Sequence, residues 1–341
     1  MSCTQTTADT SVDQNVISEA ARTSIELVAT KCAICGVDDC YPIAVGEDFE
    51  YRTSPDEYLA VRCRECSLVY LNPRPSEKCL QQIYPDTYHA FDFEPQKFGI
   101  VFRVRGWFDS RRLLKWCRGL GDDARILDVG CGDGFHLGLL KTYGRSGWKL
   151  EGVDAAPRAQ FAAEKRGIEV RCGRVEDIDL KPGSYDLILM IMTIEHLPDP
   201  LKTLHRVYDL LSPGGRVVIV TDNVESPDFH IFCNRHWGGY HFPRHWYLFS
   251  RTTLAKLAEK VGFSVEQNAT AVSPVNWTYS IRNWIDDWKG PRWLVRLFSL
   301  QSPIALGIFT LLDIPLSWIG RGAILQSVFQ KSDSQESTGE R

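Results

Sequence analysis

The sequence lacks a marked excess of charge of either sign. Its 341 residues include 39 Lys and Arg against 43 Asp and Glu, which gives a formal net charge of −4. The electrostatic field of the whole chain therefore does not favour a polyanionic partner such as bulk nucleic acid. Hydrophobic residues make up 44% and charged residues 24%, values that exclude a collagenous, coiled-coil or fully disordered chain.

A signal peptide and internal repeats are also missing. Residues 1–15 contain neither a basic segment nor an apolar run, so we expect a protein of the reducing cytoplasm. In that compartment clustered cysteines predict metal ligands and scattered ones predict small core residues. The eleven cysteines of this chain include both kinds.

Changes in composition along the chain predict seven regions. They are a poorly ordered tail (1–30), a cysteine module (31–80), a helical connector (81–120), a core (121–275), an apolar Trp-rich insert (276–320), a final core strand (321–331) and a second tail (332–341).

Apolar strands alternate with amphipathic helices from Arg125 onward. The strand candidates begin with RILDVG, LEGVD, IEVRCG, YDLILMIM and RVVIVT. Such alternation predicts βαβ units, a parallel sheet and an α/β fold. FSVEQNATAV adds a further strand, and AILQSVFQ at 323–330 adds a last one beyond the insert.

A glycine-rich turn follows the first of these strands, where residues 128–134 read Asp-Val-Gly-Cys-Gly-Asp-Gly. Glycine permits positive φ and lets the backbone approach a ligand closely. Asp154 ends the next strand, where a carboxylate can accept both ribose hydroxyls. The G-x-G-x-x-G spacing of a dinucleotide site is absent. The pair therefore predicts a cofactor that carries a nucleoside, against the simpler interpretation of a tight turn with a surface Asp.

These motifs, with GVDAAP, IEHLPDP and LLSPGGRVVIV, resemble the class I S-adenosylmethionine-dependent methyltransferases, particularly the small-molecule branch related to quinone biosynthesis. The resemblance covers about 121–273. It implies a Rossmann-like seven-stranded sheet with helices on both faces and S-adenosylmethionine as cofactor. The implied cofactor contacts are Asp128, Gly130, Cys131, Gly132, Gly134, Asp154, Ala155, Val175, Glu176 and Asp177.

One position departs from that family pattern. Arg174 follows Gly173, where many relatives carry an acid. The contact with the adenine amino group is therefore left open.

Three histidines are candidates for the catalytic residues. His196 follows the fourth strand, and His241 and His245 lie in an aromatic loop after the fifth. Methyl transfer from a sulfonium is an in-line displacement that depends chiefly on alignment, and a hydroxyl nucleophile gains from a base such as histidine. The alternatives are an ordering role for His196 and a substrate contact for His245. Pro243 argues against a helical metal site at His241 and His245.

Two cysteine pairs, Cys32-x-x-Cys35 and Cys63-x-x-Cys66, predict a structural zinc ribbon because four thiolates close a tetrahedral Zn²⁺ site. Cys40 or Cys79 could replace one of these ligands, and a metal-free strand pair is the alternative. A cysteine pair followed by LVYLNPRP resembles bacterial methyltransferases of sugar and surface-polysaccharide pathways.

Zinc ribbons also occur in some ribosomal RNA methyltransferases. Residues 32–79 contain five Lys and Arg and nine Asp and Glu, which opposes the basic surface that a phosphate backbone requires. Nucleic acid is therefore not the expected partner. Residues 97–118, with seven Lys and Arg and one Asp, are the feature that favours it.

The insert holds five of the ten tryptophans, and its segment 303–320 carries one charge, Asp313, together with Pro315. Both count against a membrane span. Trp and Arg beside an apolar helix predict a peripheral membrane contact, or a lid over a hydrophobic or lipid-linked acceptor. An added helical layer or a homodimer face is the equal alternative.

We therefore predict an S-adenosylmethionine-dependent methyltransferase that acts on a small molecule, with O-methylation of a sugar-, lipid-linked or quinone-like acceptor. The two alternatives are an RNA methyltransferase with a zinc ribbon and a catalytically silent cofactor-binding subunit.

Overall fold

The computed structural model describes residues 24–85, 88 and 95–332. The predicted tails lie almost entirely outside these residues. The N-terminal part contains β1 (Leu27–Val28), β2 (Cys40–Glu47), β3 (Glu57–Cys63), β4 (Val69–Leu71), β5 (Arg74–Pro75), α1 (Leu80–Ile83) and α2 (Pro95–Trp116). Helix α2 is interrupted at Gly99, whose φ is 48°.

The remainder forms the core and the insert. Its elements are β6 (Arg125–Val129), α3 (Phe135–Tyr143), β7 (Lys149–Asp154), α4 (Pro157–Glu164), β8 (Glu169–Cys172), β9 (Tyr185–Ile191), α5 (Pro200–Leu210), β10 (Leu211–Asp222), α6 (Pro227–Phe232), β11 (Tyr247–Leu248), α7 (Arg251–Val261), β12 (Ser264–Ala271), α8 (Pro274–Asp287), α9 (Arg292–Leu297), α10 (Pro303–Trp318) and β13 (Ile324–Gln330).

The core is a seven-stranded sheet with the order β12-β13-β10-β9-β6-β7-β8. Strands β6 to β10 are parallel, whereas β13 runs antiparallel to both β10 and β12. The order reverses between β6 and β9, and ligands of doubly wound sheets bind beyond the carboxyl ends of the strands at such a point. The predicted α/β sheet and its final strand are confirmed.

Both faces of this sheet are covered by helices, as predicted. Alternate residues of β9 belong to different cores: Ile188 packs in the core that includes α5 and α7, and Leu187 and Leu189 pack in the one that includes α2, α3 and α4. All three are fully buried. Continuous apolar strands such as YDLILMI are expected where a parallel sheet is buried on both sides.

The cysteine module shares a sheet with the core chain. Strands β2, β3, β4 and β11 form an antiparallel sheet in which Tyr247 pairs with Tyr70 and Leu248 with Val69. The sequence predicts a small module at 31–80, and in the structure β11 of the core chain completes the sheet of this module by covering the edge of β4. A two-residue strand is too short for its alternation to be recognised in the sequence.

A buried ion pair adds a second link between the module and the core. Arg244 and Asp48 are 0% and 1% exposed, and their two parallel contacts measure 2.7 Å (Nη2 to Oδ2) and 3.1 Å (Nη1 to Oδ1). Arg244 Nε also donates to the Ile83 carbonyl oxygen at 2.7 Å. This bidentate arrangement fixes the loop before β11 against the N-terminal chain.

The insert leaves the sheet after β12 and returns at β13. Asp313, the one charge of α10, is fully buried, and its Oδ2 accepts hydrogen bonds from Ser273 N at 2.8 Å and Ala323 N at 3.2 Å. It therefore joins the starts of α8 and β13. Among the described residues, no helix has the length and apolar content needed to cross a bilayer.

Candidate active site and metal centre

The glycine turn connects β6 to α3 at the reversal point of the sheet. Gly130, Gly132 and Gly134 have φ values of 75°, 52° and 72°, a region that L side chains rarely adopt. A Cβ atom on Gly130 would lie 2.5 Å from Thr193 Oγ1. Glycine is therefore required here for the close contact with the turn after β9.

Two carboxyl groups lie next to this turn. Asp154 Oδ2 accepts a hydrogen bond from Gly132 N at 2.9 Å, and its Oδ1 accepts one from Ala156 N at 2.8 Å. Asp128 is 1% exposed and its Oδ2 has no hydrogen-bond partner. Burial raises the pKa of both carboxyl groups, that of Asp128 well above its usual range. S-adenosylmethionine carries an ammonium group, a sulfonium and ribose hydroxyls, which are the charges and donors that suit the unpartnered Asp128 oxygen and the half-buried Asp154 carboxyl group. The residues present fit that cofactor.

Three other predicted contacts differ in their surroundings. Ala155 is exposed directly after Asp154. Cys131 and Val175 are buried, and a Cβ atom on Gly152 would lie 2.7 Å from Cys131 Sγ. The side chain of Cys131 therefore fills the space beside β7, and its backbone forms the turn.

The segment after β8 offers little side-chain surface to an adenine ring. Glu176 accepts a hydrogen bond from the Thr203 hydroxyl of α5, and Arg174 forms an ion pair with Glu77 of the cysteine module. Asp177 is exposed in the same turn. The backbone of this segment and the exposed Asp177 are the groups left for the predicted adenine contact, which stays a prediction.

The structure brings the three predicted catalytic histidines together. Ring centroids are 4.6 Å apart for His196 and His245, 4.8 Å for His241 and His245, and 6.4 Å for His196 and His241. His196 lies in the short 3₁₀ turn after β9, and the other two lie in the loop that Arg244 holds. The cluster is therefore at the same edge of the sheet as the glycine turn.

His245 has the surroundings of a base. Its Nδ1 donates to the Gly239 carbonyl oxygen at 2.8 Å and lies 3.2 Å from Asp222 Oδ2. The Gly239 carbonyl oxygen accepts at Nδ1, which places the proton there and leaves the lone pair on Nε2, while the nearby Asp222 carboxyl group adds electrostatic support. Burial alone lowers the pKa of His245, but the Asp222 and Glu195 carboxylates outweigh it and hold that pKa above its usual value.

His196 and His241 are weaker proton acceptors. Burial lowers the pKa of His196 well below its usual value, and the neighbouring histidines lower it further. Burial also lowers the pKa of His241 to about 4, although Glu50 Oε2 lies 2.5 Å from its Nδ1. His196 Nδ1 lies 2.9 Å from the Tyr84 hydroxyl. Both rings are therefore neutral and suited to hydrogen bonding.

Sequence reasoning missed Glu195. It is fully buried, neither carboxyl oxygen has a hydrogen-bond partner, and burial raises its pKa to about 7. Side-chain atoms of Glu195, His196 and His245 lie within 4.8 Å of one another, so the Glu195 carboxyl group lies directly beside both rings. The sequence feature that could have identified Glu195 is its position next to His196 in the IEHLPDP motif.

Glu50, Tyr84 and Asp222 were missed as well. Glu50 and Tyr84 come from the N-terminal chain, more than 100 residues away from the histidines that they contact. No local pattern predicts such partners. Asp222 ends β10, and its position at the carboxyl end of a parallel strand could have identified it.

The two cysteine pairs form one cluster. Sγ separations are 3.3 Å for Cys32 and Cys66, 3.5 Å for Cys35 and Cys63, and 3.8 Å for Cys35 and Cys66. A Zn–S distance of about 2.3 Å gives a tetrahedron with edges of about 3.8 Å. The cluster therefore fits the predicted structural Zn²⁺. Its chemistry is that of a closed site that stabilises the fold and binds no substrate.

The other two candidate ligands lie elsewhere. Cys40 Sγ accepts from Asn72 Nδ2 at 3.9 Å, and Cys79 Sγ is 3.8 Å from Ser76 Oγ.

Lys260 of α7 donates to the Ile34 carbonyl oxygen at 2.6 Å. The first cysteine knuckle therefore rests on the core.

The strand order, the glycine turn and the acid at the end of β7 together define a class I methyltransferase fold. A family model described as a methyltransferase domain matches residues 104–268. The chain belongs to the S-adenosylmethionine-dependent methyltransferases, because it also matches a ubiquinone biosynthesis O-methyltransferase of Cereibacter sphaeroides at 31% identity over 169 residues, 46% of this chain and 67% of that relative.

Two further proteins are similar over different spans. A ubiquinone biosynthesis O-methyltransferase of Xanthomonas euvesicatoria is 36% identical over 107 residues, 29% of this chain and 44% of that one. The structure of a Haemonchus contortus phosphoethanolamine N-methyltransferase in complex with S-adenosylmethionine aligns with a TM-score of 0.50 and 19% identity, covering 87% of this chain and 69% of that one. This last likeness concerns the fold alone.

Replacement of Asp154 tests the cofactor site. We expect Asp154→Ala to weaken S-adenosylmethionine binding by about 10- to 100-fold, because hydrogen bonds to a charged group contribute about 1.5–3 kcal/mol and because Gly132 N loses its acceptor. Isothermal titration calorimetry measures the effect. Asp123→Ala, which removes an exposed carboxylate before β6, is the control. Equal affinities of the two variants would contradict the role of Asp154.

Metal analysis tests the cysteine cluster. We expect about one Zn²⁺ per chain, and we expect the double variant Cys35→Ser and Cys63→Ser to lose the metal and to melt at a lower temperature, since binding to such a site stabilises the fold. Cys172→Ser, at an exposed cysteine outside the cluster, should keep the metal. If wild-type protein purified with added Zn²⁺ contains no metal, the cysteines belong to a metal-free strand pair instead.

Proposed function

We propose that this protein transfers the methyl group of S-adenosylmethionine to a hydroxyl oxygen of a small aromatic acceptor that carries an apolar chain. The observation that carries the proposal is the Asp222–His245 pair, which leaves an unprotonated Nε2 beside two neutral histidines at the cofactor edge of the sheet. A base of this kind serves a hydroxyl nucleophile, whose proton must leave as the new bond forms.

Each group has a separate role in the proposed methyl transfer. Bound S-adenosylmethionine supplies a methyl group on a positively charged sulfur. Asp154 and the glycine turn hold the nucleoside and fix the direction of the methyl group, which is the main requirement of an in-line displacement. His245 Nε2 accepts the proton of the acceptor hydroxyl, and Asp222 stabilises the imidazolium that results. The contact between the Tyr84 hydroxyl and His196 Nδ1 holds the His196 ring in a fixed orientation beside His245.

An aromatic acceptor agrees with the rings near the histidines. Ring centroids of Tyr84 and His196 are 6.1 Å apart, and those of Tyr51 and Tyr88 lie 6.2 Å and 6.1 Å from His241. Such rings pack well against a planar ring. The two ubiquinone biosynthesis relatives are named O-methyltransferases, which supports a quinone-like acceptor over a sugar.

The apolar chain of the acceptor would meet the insert. It exposes many large apolar side chains, with Leu311 72% and Trp318 82% exposed. The group consists of Trp284, Trp288, Trp293, Leu297, Ile304, Ile308, Leu311, Leu312, Trp318 and Ile319.

We propose that this exposed surface contacts the headgroup region of an anionic membrane. Arg292 and Arg296 lie on α9 together with Trp293, and Trp with Arg is the composition of an interfacial helix. A peripheral contact would bring the mouth of the site near a lipid-soluble acceptor.

No described contact favours the RNA alternative. Arg105 and Arg112 of α2 both pair with Asp109, and Arg111 lies over the Trp107 ring at 4.8 Å. The basic helix therefore uses part of its charge within itself.

Removal of the base tests the reaction. We expect His245→Ala to lower kcat by about 10²- to 10⁴-fold, the range for a positioned general base, on a dihydroxylated ring with a prenyl tail. Because the pKa of His245 is raised and Nε2 must be unprotonated, wild-type kcat should fall as the pH drops through a value above 6.5. Mass spectrometry identifies the methylated atom. His205→Ala, exposed on α5, is the control.

Two results would contradict this proposal. One is methyl transfer to nitrogen or carbon of the same acceptor. The other is binding of S-adenosylmethionine without turnover on phenols, sugars or RNA, which would favour the silent subunit.

Sedimentation with vesicles tests the membrane contact. We expect the wild-type protein to bind vesicles that contain anionic lipid, and we expect the double variant Ile308→Glu and Leu311→Glu to lose binding because charge on this surface opposes insertion. Ile231→Glu, at an exposed apolar residue of α6, is the control. A wild-type dimer that the double variant dissociates, without vesicle binding, would assign the surface to self-association instead.

A further inference from the structure

Helix α8 touches both carboxylates that hold histidines. Asn276 Nδ2 donates to Asp222 Oδ1 at 2.8 Å, and the Tyr279 hydroxyl donates to Glu50 Oε1 at 3.1 Å. Both side chains are buried. In each pair the second carboxylate oxygen faces a histidine, Oδ2 of Asp222 toward His245 and Oε2 of Glu50 toward His241. Two residues of one helix therefore meet two carboxylate–histidine pairs.

We propose that Asn276 is a positioning residue for the base, acting on His245 through Asp222. The proposal rests on the function proposed above, since it concerns the same base. Tyr279 holds Glu50 against His241 in a parallel way.

The argument begins with the cost of a buried carboxylate. Asp222 is 1% exposed, and an ionised carboxylate without donors is strongly disfavoured there. The Asn276 amide supplies a donor to Oδ1. The rotation of the carboxyl group is thereby fixed, so that Oδ2 lies 3.2 Å from the imidazole Nδ1.

Asn276 is itself held firmly. Its side-chain Nδ2 lies 3.5 Å from the Ala323 carbonyl oxygen. Its backbone carbonyl oxygen accepts a hydrogen bond from Ser280 Oγ at 2.6 Å. A Cβ atom on Gly238 would lie 2.6 Å from that same carbonyl oxygen. Helix α8 therefore packs directly on the turn that precedes His241, with no space for a different register.

The charged and titratable groups around His245 come from three elements. They are Asp222 at the end of β10, Glu195 and His196 in the turn after β9, and His241 and Arg244 in the same loop as His245. Arg244 is already paired with Asp48. Asn276 adds no charge, so its effect on His245 must pass through Asp222.

Titration of His245 by NMR tests this step without any acceptor. In wild-type protein with ¹⁵N-labelled histidine we expect an Nδ1-protonated His245 that titrates above its usual range. Asn276→Leu should lower that titration by about one pH unit, because an Asp222 side chain that has lost its Oδ1 donor can rotate away from the imidazole and then stabilises the imidazolium less. Asn283→Leu, on the same helix with a 3.3 Å contact to the His236 carbonyl oxygen, should leave it unchanged.

Kinetics test the consequence for catalysis. We expect Asn276→Leu to lower kcat about tenfold, part of the roughly 10²- to 10⁴-fold effect of a general base, with the acid limb of the pH profile moved to lower pH. S-adenosylmethionine affinity should stay the same, which shows that the variant is folded. Asn276→Ser, which keeps a donor, should recover part of kcat relative to Asn276→Leu. Asn276→Ala, which removes the donor without adding bulk, replaces Asn276→Leu in every arm should the leucine variant not fold.

A double-mutant cycle separates positioning from general stability. If Asn276 acts through Asp222, adding Asn276→Leu to Asp222→Asn should cause no further loss of kcat. Fully additive losses, or an unchanged His245 titration in Asn276→Leu, would overturn the proposal. A wild-type enzyme that shows the expected titration but no O-methylation would instead count against the proposed function alone.

Discussion

The buried ion pair of Arg244 and Asp48 is the contact on which the arrangement of the site depends. Neither side chain meets solvent, and the desolvation of two charges makes such a pair a poor source of stability. Its effect here is geometric. The guanidinium lies 4.5 Å over the Tyr51 ring and donates to the Ile83 carbonyl oxygen, while the Arg244 carbonyl oxygen lies 3.1 Å from His196 Nδ1. One residue thus orders the catalytic loop and the N-terminal chain together.

The cysteine module is consequently part of the structure that surrounds the candidate active site. Strand β11 continues its sheet directly after His245 and Trp246. The chain between β2 and α2 supplies Asp48 to Arg244, and it supplies Glu50 and Tyr84 to the histidines. A zinc centre at the far end of the same sheet would stabilise the scaffold that presents these groups. The metal can therefore influence methyl transfer without contacting cofactor or acceptor.

The sequence predicts what depends on local pattern. The core strands, the glycine turn, Asp154 and the cysteine cluster each follow from residue types at short spacing, and the structure places them as expected. The three histidines are predicted singly, but the choice among them depends on Glu50 and Asp222. Those partners are 191 and 23 residues away from the histidines they hold, and long-range contacts of this kind leave no periodic trace.

The position of the insert explains why it can serve both the acceptor and the base. Ile324, the first residue of β13, pairs with Asp222 on one side and with Ala271, the last residue of β12, on the other. The insert therefore leaves and re-enters the sheet beside Asp222, the carboxylate next to His245. Asp313 links the two ends of the insert through hydrogen bonds from Ser273 N and Ala323 N. The register of β13 against β10 and β12 fixes the positions at which the insert begins and ends. The position of Asn276 relative to Asp222 is fixed in turn. An acceptor chain resting on the insert would thus lie against the same helices that orient the base.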